Sequence, residues 1–131
     1  MIVLDASVLI AHLDEHDAHH EAASRLLLDI PESELTASPI TIAEVLVGPA
    51  RTGRLSQARA LMDAMGVREV ALRSDAASSL AILRAETALK LPDCCVLLAA
   101  RDAPARAVAT FDERLAQAAR RAGLAVCRTP A

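Results

Sequence analysis

Short apolar runs and helix-patterned segments take turns along this chain, and that alternation limits its fold more than any other feature. Ile2–Asp5 reads as a short buried strand and Ala6–Leu13 as a helix with Ser7 near its start. Asp17–Ile30 reads as a second helix, with Ala22, Leu26, Leu27 and Ile30 at helical spacing and Pro31 as its stop. Leu35–Ala37 is expected as a strand, Ile40–Arg51 as a helix behind Ser38-Pro39, and Leu55–Met65 as a helix ended by Gly66. Val67–Leu72 alternates as a strand does, and Asp75–Lys90 reads as a long helix capped by Ser74 or Asp75. Pro92–Arg101 places proline in a first helical turn, where its missing N–H does no harm. Ala107–Phe111 is a strand, Glu113–Ala122 a helix ended by Gly123, and Leu124–Cys127 a last strand. Strands separated by helices imply an α/β fold: a short, mostly parallel sheet with helices on both faces, three layers in all. With 131 residues and no linker, repeat or low-complexity stretch, residues 1–131 are expected to form one domain.

The core must be aliphatic. The chain is 53% hydrophobic yet carries a single aromatic residue, Phe111, so Leu, Val, Ile and many Ala must fill the interior and let helices pack closely. No apolar run approaches the roughly 18–20 residues of a membrane span, and the chain enters a strand at Met1 without a basic leader. A cytoplasmic location is expected. Cys94, Cys95 and Cys127 fit it: an odd count without C-x-x-C spacing reads as buried reduced thiols.

Against that apolar background four carboxylates are out of place. Asp5 ends Met1-Ile2-Val3-Leu4, and Glu44 interrupts the apolar run from Ile40 to Val47. Asp93 follows Pro92 and opens Cys94 to Ala100, and Asp112 closes Ala107 to Phe111. A buried carboxylate without a partner costs several kcal/mol or takes up a proton. Sites in open parallel sheets form beyond the carboxyl ends of strands, where Asp5 and Asp112 lie, and Asp93 stands at a helix N-terminus. Convergence on a hard divalent cation, Mg²⁺ or Mn²⁺, accounts for all four at once. Taken singly, Asp5 and Asp112 also serve as helix caps, Asp93 as a first-turn acid, and Glu44 as an ion-pair partner. Ser7 and Thr110 flank the two strand-end aspartates and carry hydroxyls able to orient a carboxylate or a metal-bound water.

A net charge of −3 does not mark a nucleic-acid binder, but the cations are thirteen Arg against one Lys, Lys90, and Arg grips phosphate bidentately. Arg51 and Arg54, at the end of the Glu44 helix, are candidate phosphate contacts. His12, His16 and His20 repeat at a spacing that can hold zinc on one helix, with His19 beside them. The polar run Asp14-Glu15-His16-Asp17 breaks such a helix, leaving a solvated connection with His20 as a candidate RNA contact.

The segments Ile2 to Ser7, Thr41 to Arg51, Leu91-Pro92-Asp93 and Ala109 to Leu115 resemble the acidic motifs of PIN-domain ribonucleases, and within these the VapC toxins of bacterial toxin–antitoxin pairs. The likeness covers essentially the whole chain with the motifs in family order. It implies a PIN-like domain in which Asp5, Glu44, Asp93 and Asp112 are the acidic quartet, with Ser7 and Thr110 in supporting positions. Glu113 stands beside them as a fifth acid, explained more simply as an exposed first-turn residue. Cys94-Cys95 departs from the small or aliphatic residues usual after the third motif. The resemblance also implies a Mg²⁺- or Mn²⁺-dependent endoribonuclease, cutting RNA through a metal-activated water to leave a 5′-phosphate. It further implies a VapB-type antitoxin, bound in a groove lined by Ile42, Val45 and Leu46, and a homodimer through Leu55–Met65. Both Asp5→Asn and Asp93→Asn are expected to leave the fold intact and, without metal, to melt higher.

Other classes fit less well. A PIN module that binds without cutting does not need an intact quartet. A phosphoaspartyl enzyme wants a second Asp two residues after the first, where Ser7 stands. A receiver domain wants an early acidic pair and a Lys after a late strand, whereas Lys90 lies in a helical segment. A housekeeping RNA-processing nuclease differs from a toxin only in the resemblance.

Overall fold

The computed structural model describes residues 1–128. Five parallel strands form one sheet in the order β3-β2-β1-β4-β5, with β1 at Ile2–Leu4, β2 at Leu35–Ala37, β3 at Arg68–Glu69, β4 at Ala107–Ala109 and β5 at Ala125–Cys127. Seven α-helices occur among the described residues: α1 (Ala6–Leu13), α2 (His20–Leu28), α3 (Pro39–Arg51), α4 (Leu55–Ala64), α5 (Ala76–Thr87), α6 (Leu91–Asp102) and α7 (Glu113–Arg121). β1 pairs Ile2 with Leu35 on one side and Ile2, Val3 and Leu4 with Ala107, Val108 and Ala109 on the other.

Side-chain alternation along the strands builds the layers. Ile2, Leu4, Leu35, Ala37, Ala107 and Ala109 pack against α1, α2, α3 and Met62 of α4. Val3 and Val108 turn to the opposite face and meet α5, α6 and α7. The three-layer α/β/α arrangement read from the sequence is therefore the one observed, and the sheet is wholly parallel.

Boundaries differ where side chains bond to the backbone. The second helix begins at His20 rather than Asp17, because Asp14 and Asp17 accept bonds from the N–H groups of His16 and His19 and form turns. The fifth helix stops at Thr87, short of Lys90. Ala88 adopts φ 58°, and the Leu89 carbonyl accepts from Arg84 Nη1 at 2.6 Å, so Lys90 is extended and α6 starts afresh at Leu91. Asp75 occupies the N-cap position of that helix without a capping side-chain bond. The strand expected over Val67–Leu72 pairs only at Arg68–Glu69, both exposed at the sheet edge. The fourth strand ends at Ala109, two residues early, because Thr110 and Phe111 turn towards α1.

Candidate active site

Strand order reverses direction between β1 and β4: the chain's second strand lies on one side of β1 and its fourth on the other. A crevice opens beyond the carboxyl ends at such a switch point. Asp5 sits there. Its N–H donates to the Ala109 carbonyl at 2.9 Å, extending the ladder by one bond, and its side chain turns out of the sheet.

Asp5 is 6% exposed and well supplied with donors. Oδ1 accepts from the Ala6 N–H at 2.8 Å, which makes Asp5 the N-cap of α1. Oδ2 accepts from Ser7 Oγ at 2.8 Å and Thr110 Oγ1 at 2.7 Å. The two hydroxyls are relays. Thr110 Oγ1 accepts from the Asp112 N–H at 2.9 Å, and Ser7 Oγ accepts from the Phe111 N–H at 3.3 Å. One carboxylate thus ties the start of α1 to the turn after β4. Asp112 caps α7, its Oδ1 accepting from the N–H groups of Arg114 and Leu115 at 2.9 and 3.1 Å. Capping occupies one oxygen of Asp112, so it does not compete with a second role for the other.

Glu44 and Asp93 arrive from α3 and α6. Asp93 is half-buried, while Glu44 and Asp112 are exposed, so Asp5 alone of the four is buried. Neither Glu44 nor Asp93 receives a side-chain hydrogen bond among the described residues. Burial, then the charges of Asp5 and Asp93, push the Glu44 pKa up. Burial, then Asp5 and Asp112, push Asp93 up, with Lys90 and Arg114 opposing. The four acidic groups therefore share one electrostatic neighbourhood. Their donor set is hard oxygen of one sign, the set that suits Mg²⁺ or Mn²⁺. Among the described residues no three His, Cys, Asp or Glu side chains form a ready-made cage.

The other candidates spread out. Glu113 faces away, pairing with Arg128 at 2.6 Å and Arg120 at 3.6 Å, which lowers its pKa. Arg54 shares with Glu44 a groove of ≈ 470 Å³ between α1, α3 and α4, whereas exposed Arg51 lies outside it. Val45 lines that groove as expected; Ile42 does not, being buried in the core, and Leu46 packs half-buried against the core. The histidines do not share one helix. His12 and His20 stack with ring centres 6.3 Å apart, their Nδ1 atoms bonded to Ser24 Oγ and the Ala11 carbonyl, and exposed His16 lies beside Glu15. Sequence reasoning missed one group: Arg114, inside the fourth acidic motif, acts on Asp93. His19, named with the other histidines, lies against Phe111 with ring centres 5.2 Å apart.

Residues 2–121 match the family model described as PIN domain. No curated protein matches the chain. Among solved structures, VapC20 of Mycobacterium tuberculosis, described as a Sarcin-Ricin loop cleaving toxin, superposes with a TM-score of 0.77 at 20% identity, covering 98% of this chain and all of that one (100%). A toxin–antitoxin complex from Klebsiella pneumoniae gives 0.71 at 25% identity, over 86% of this chain and 87% of that one. FitAcB from Neisseria gonorrhoeae gives 0.74 at 21%, over 98% and 97%.

Proposed function

The chain belongs to the PIN-domain family, and from that membership we propose that it is a Mg²⁺- or Mn²⁺-dependent endoribonuclease, the toxin of a VapBC-type pair acting in the cytoplasm. The observation that carries this reading is the group of four carboxylates at the β1/β4 switch point, two of them with raised pKa values and no ion-pair partner among the described residues.

Asp5, Glu44, Asp93 and Asp112 would hold the ion. When bound, it would polarise the scissile phosphate and lower the pKa of an attacking water. Asp5 is the fixed ligand, because Ser7 and Thr110 hold its Oδ2 in one orientation. Asp93 and Glu44, free of such bonds, would complete the donor set, and Asp93 or Asp112 would position the water and take its proton. Attack by water leaves a 5′-phosphate and a 3′-hydroxyl.

The toxin assignment draws on the resemblance and on neighbours described as toxins. A partner helix would lie in the groove between α1, α3 and α4, where Ile10, Leu13, Val45 and Leu61 offer apolar surface beside Glu44. An arginine from it, placed on the carboxylates, would substitute for the cation. Leu55 of α4 is exposed outside that groove and would supply part of the face of a homodimer. The test is total RNA incubated with purified protein, with and without Mg²⁺, and the cut ends mapped. Metal-dependent cuts bearing 5′-phosphates are expected, as is growth arrest on overproduction that the adjacent upstream reading frame relieves. Absence of cleavage, or cleavage indifferent to chelator, would refute the enzyme. Cleavage without toxicity would leave a housekeeping nuclease.

A further inference from the structure

A second groove, of ≈ 620 Å³, runs between α5, α6 and α7 and is lined by Arg101, Arg114 and Arg121. Its floor is apolar, from Leu97, Ala100 and Ala118, and Glu86 is the one acid in its lining. Arg114 and Arg121 stand two helical turns apart on one side of α7, about 10 Å along its axis, and Arg101 faces them from the last turn of α6.

What sets these three apart is that they line one groove together without ion-pair partners. Arg25, Arg51, Arg54, Arg68 and Arg73 are also exposed without an ion pair but do not line it, whereas Arg106 pairs with Glu34, Arg59 with Asp63 and Glu69, and Arg120 and Arg128 with Glu113. Arg101, Arg114 and Arg121 are exposed and make no ion pair among the described residues. Three unneutralised guanidiniums along one trough, in a chain of net charge −3, select an extended polyanion over a single small ion. The trough also adjoins the acidic site, since the Arg114 N–H donates to Asp112 Oδ1 at 2.9 Å.

We propose that this groove is a track for the phosphodiester backbone of single-stranded RNA, carrying the strand from the acidic site across α7 to Arg101 and Arg121. The proposal rests on the nuclease reading and extends it to how substrate is held. A cation-lined track resolves a conflict in that reading, because an acidic site alone repels its own substrate until metal is bound. Arg114 holds the phosphate next to the site; Arg101 and Arg121 hold phosphates further along. None of the three reads bases, so the track adds affinity without sequence preference.

The test is fluorescence anisotropy of a short, mixed-sequence single-stranded RNA, titrated against Asp93→Asn protein over a range of salt. Added to that background, Arg101→Gln and Arg121→Gln should each weaken binding about five-fold and lower the slope of log affinity against log salt by about 0.7. Arg120→Gln, which removes an arginine already paired with Glu113, should change neither. Unchanged affinity and slope in both Gln variants, with the parent binding RNA and the wild type cutting it, would overturn the track and leave the nuclease standing. A wild type that neither binds nor cuts RNA would remove both. Loss of binding to an oligoglutamate peptide with RNA binding intact would make the groove an acidic-peptide site and overturn the proposal.

Discussion

The two ends of the sheet handle charge in opposite ways. At the amino end Glu34 receives both arms of Arg106, at 3.2 and 2.9 Å, and lies 3.9 Å from the Met1 ammonium. Its pKa is lowered, chiefly by the Arg106 bonds. At the carboxyl end Glu44 and Asp93 face other carboxylates, and their pKa values are raised. The residue chemistry is the same; the partners differ. A fold that neutralises carboxylates at one end and gathers them at the other concentrates negative charge at the second, which the proposed cation would offset.

The largest expected effect tests the acidic end directly. Asp5→Asn and Asp93→Asn should each abolish metal-dependent RNA cleavage, measured with the same substrate at saturating Mg²⁺. Their stabilities should separate. Asp93 has no bonded donor to lose, so its Asn variant, relieved of repulsion, should melt above the wild type without metal. Asp5 accepts from the Ala6 N–H on Oδ1 and from two hydroxyls on Oδ2. An amide has one oxygen for those two sides, so its NH₂ must face one set of donors, and Asp5→Asn should lose about 1–3 kcal/mol. For Asp5→Asn these bonds argue against the higher melting point expected of both variants. A higher melting point for Asp5→Asn would show that the hydroxyl network matters less than its geometry implies.

Next in size is Thr110→Val. It strips Asp5 of one donor and leaves the Asp112 N–H without its acceptor, and should cost about 1–3 kcal/mol in urea unfolding. Loss of activity beyond the loss of stability would assign Thr110 a positioning role.

The acidic end was legible because its residues break a pattern: a carboxylate at the end of an apolar strand is conspicuous in any sequence. Ser7 and Thr110 could be chosen as neighbours of those acids, but their reach across α1 and β4 could not, since the pairing of β1 with β4 joins residues more than a hundred positions apart. The amino-end pairing of Glu34 with Arg106 was invisible for the same reason. Helix starts and stops were misread where Asp14, Asp17 and Ala88 redirect the backbone locally. Arg114 was overlooked because its significance lies in the groove it lines with Arg101 and Arg121, which a sequence does not display.

A smaller effect concerns pH. The folded pKa values of Glu44 and Asp93 are raised above their ordinary values, chiefly by burial. Between the ordinary and the raised values, the metal-free folded protein holds protons that the unfolded chain has released. Its stability from these groups therefore falls as pH rises through the window, and the penalty is complete above it. Glu34 and Glu113, both lowered, contribute the reverse: stability present above the ordinary range and lost as acid protonates them. Urea midpoints of metal-free wild type and Asp93→Asn, compared near neutrality and at about pH 5, should show the variant's advantage shrinking in acid. An advantage that grows in acid would contradict the raised pKa.

The smallest effect is at the hinge that places Asp93. Ala88 holds a left-handed conformation, which costs a non-glycine residue roughly 1–2 kcal/mol. Glycine relieves this but loosens the unfolded chain, so Ala88→Gly should gain no more than about 1 kcal/mol. A loss would mean that the methyl group packs usefully between α5 and α6.

The account stands on the claim that the carboxyl end of the sheet is an acidic site completed by a divalent cation. Thermal unfolding of the wild type and Asp93→Asn, at neutral pH without RNA and over a range of Mg²⁺ and Mn²⁺, tests it most directly. Binding to the native state alone should raise the wild-type melting temperature with metal concentration, and the shift should shrink or vanish in Asp93→Asn. A wild type whose melting temperature ignores both ions at millimolar concentration, or a variant that responds as strongly as the wild type, would contradict it.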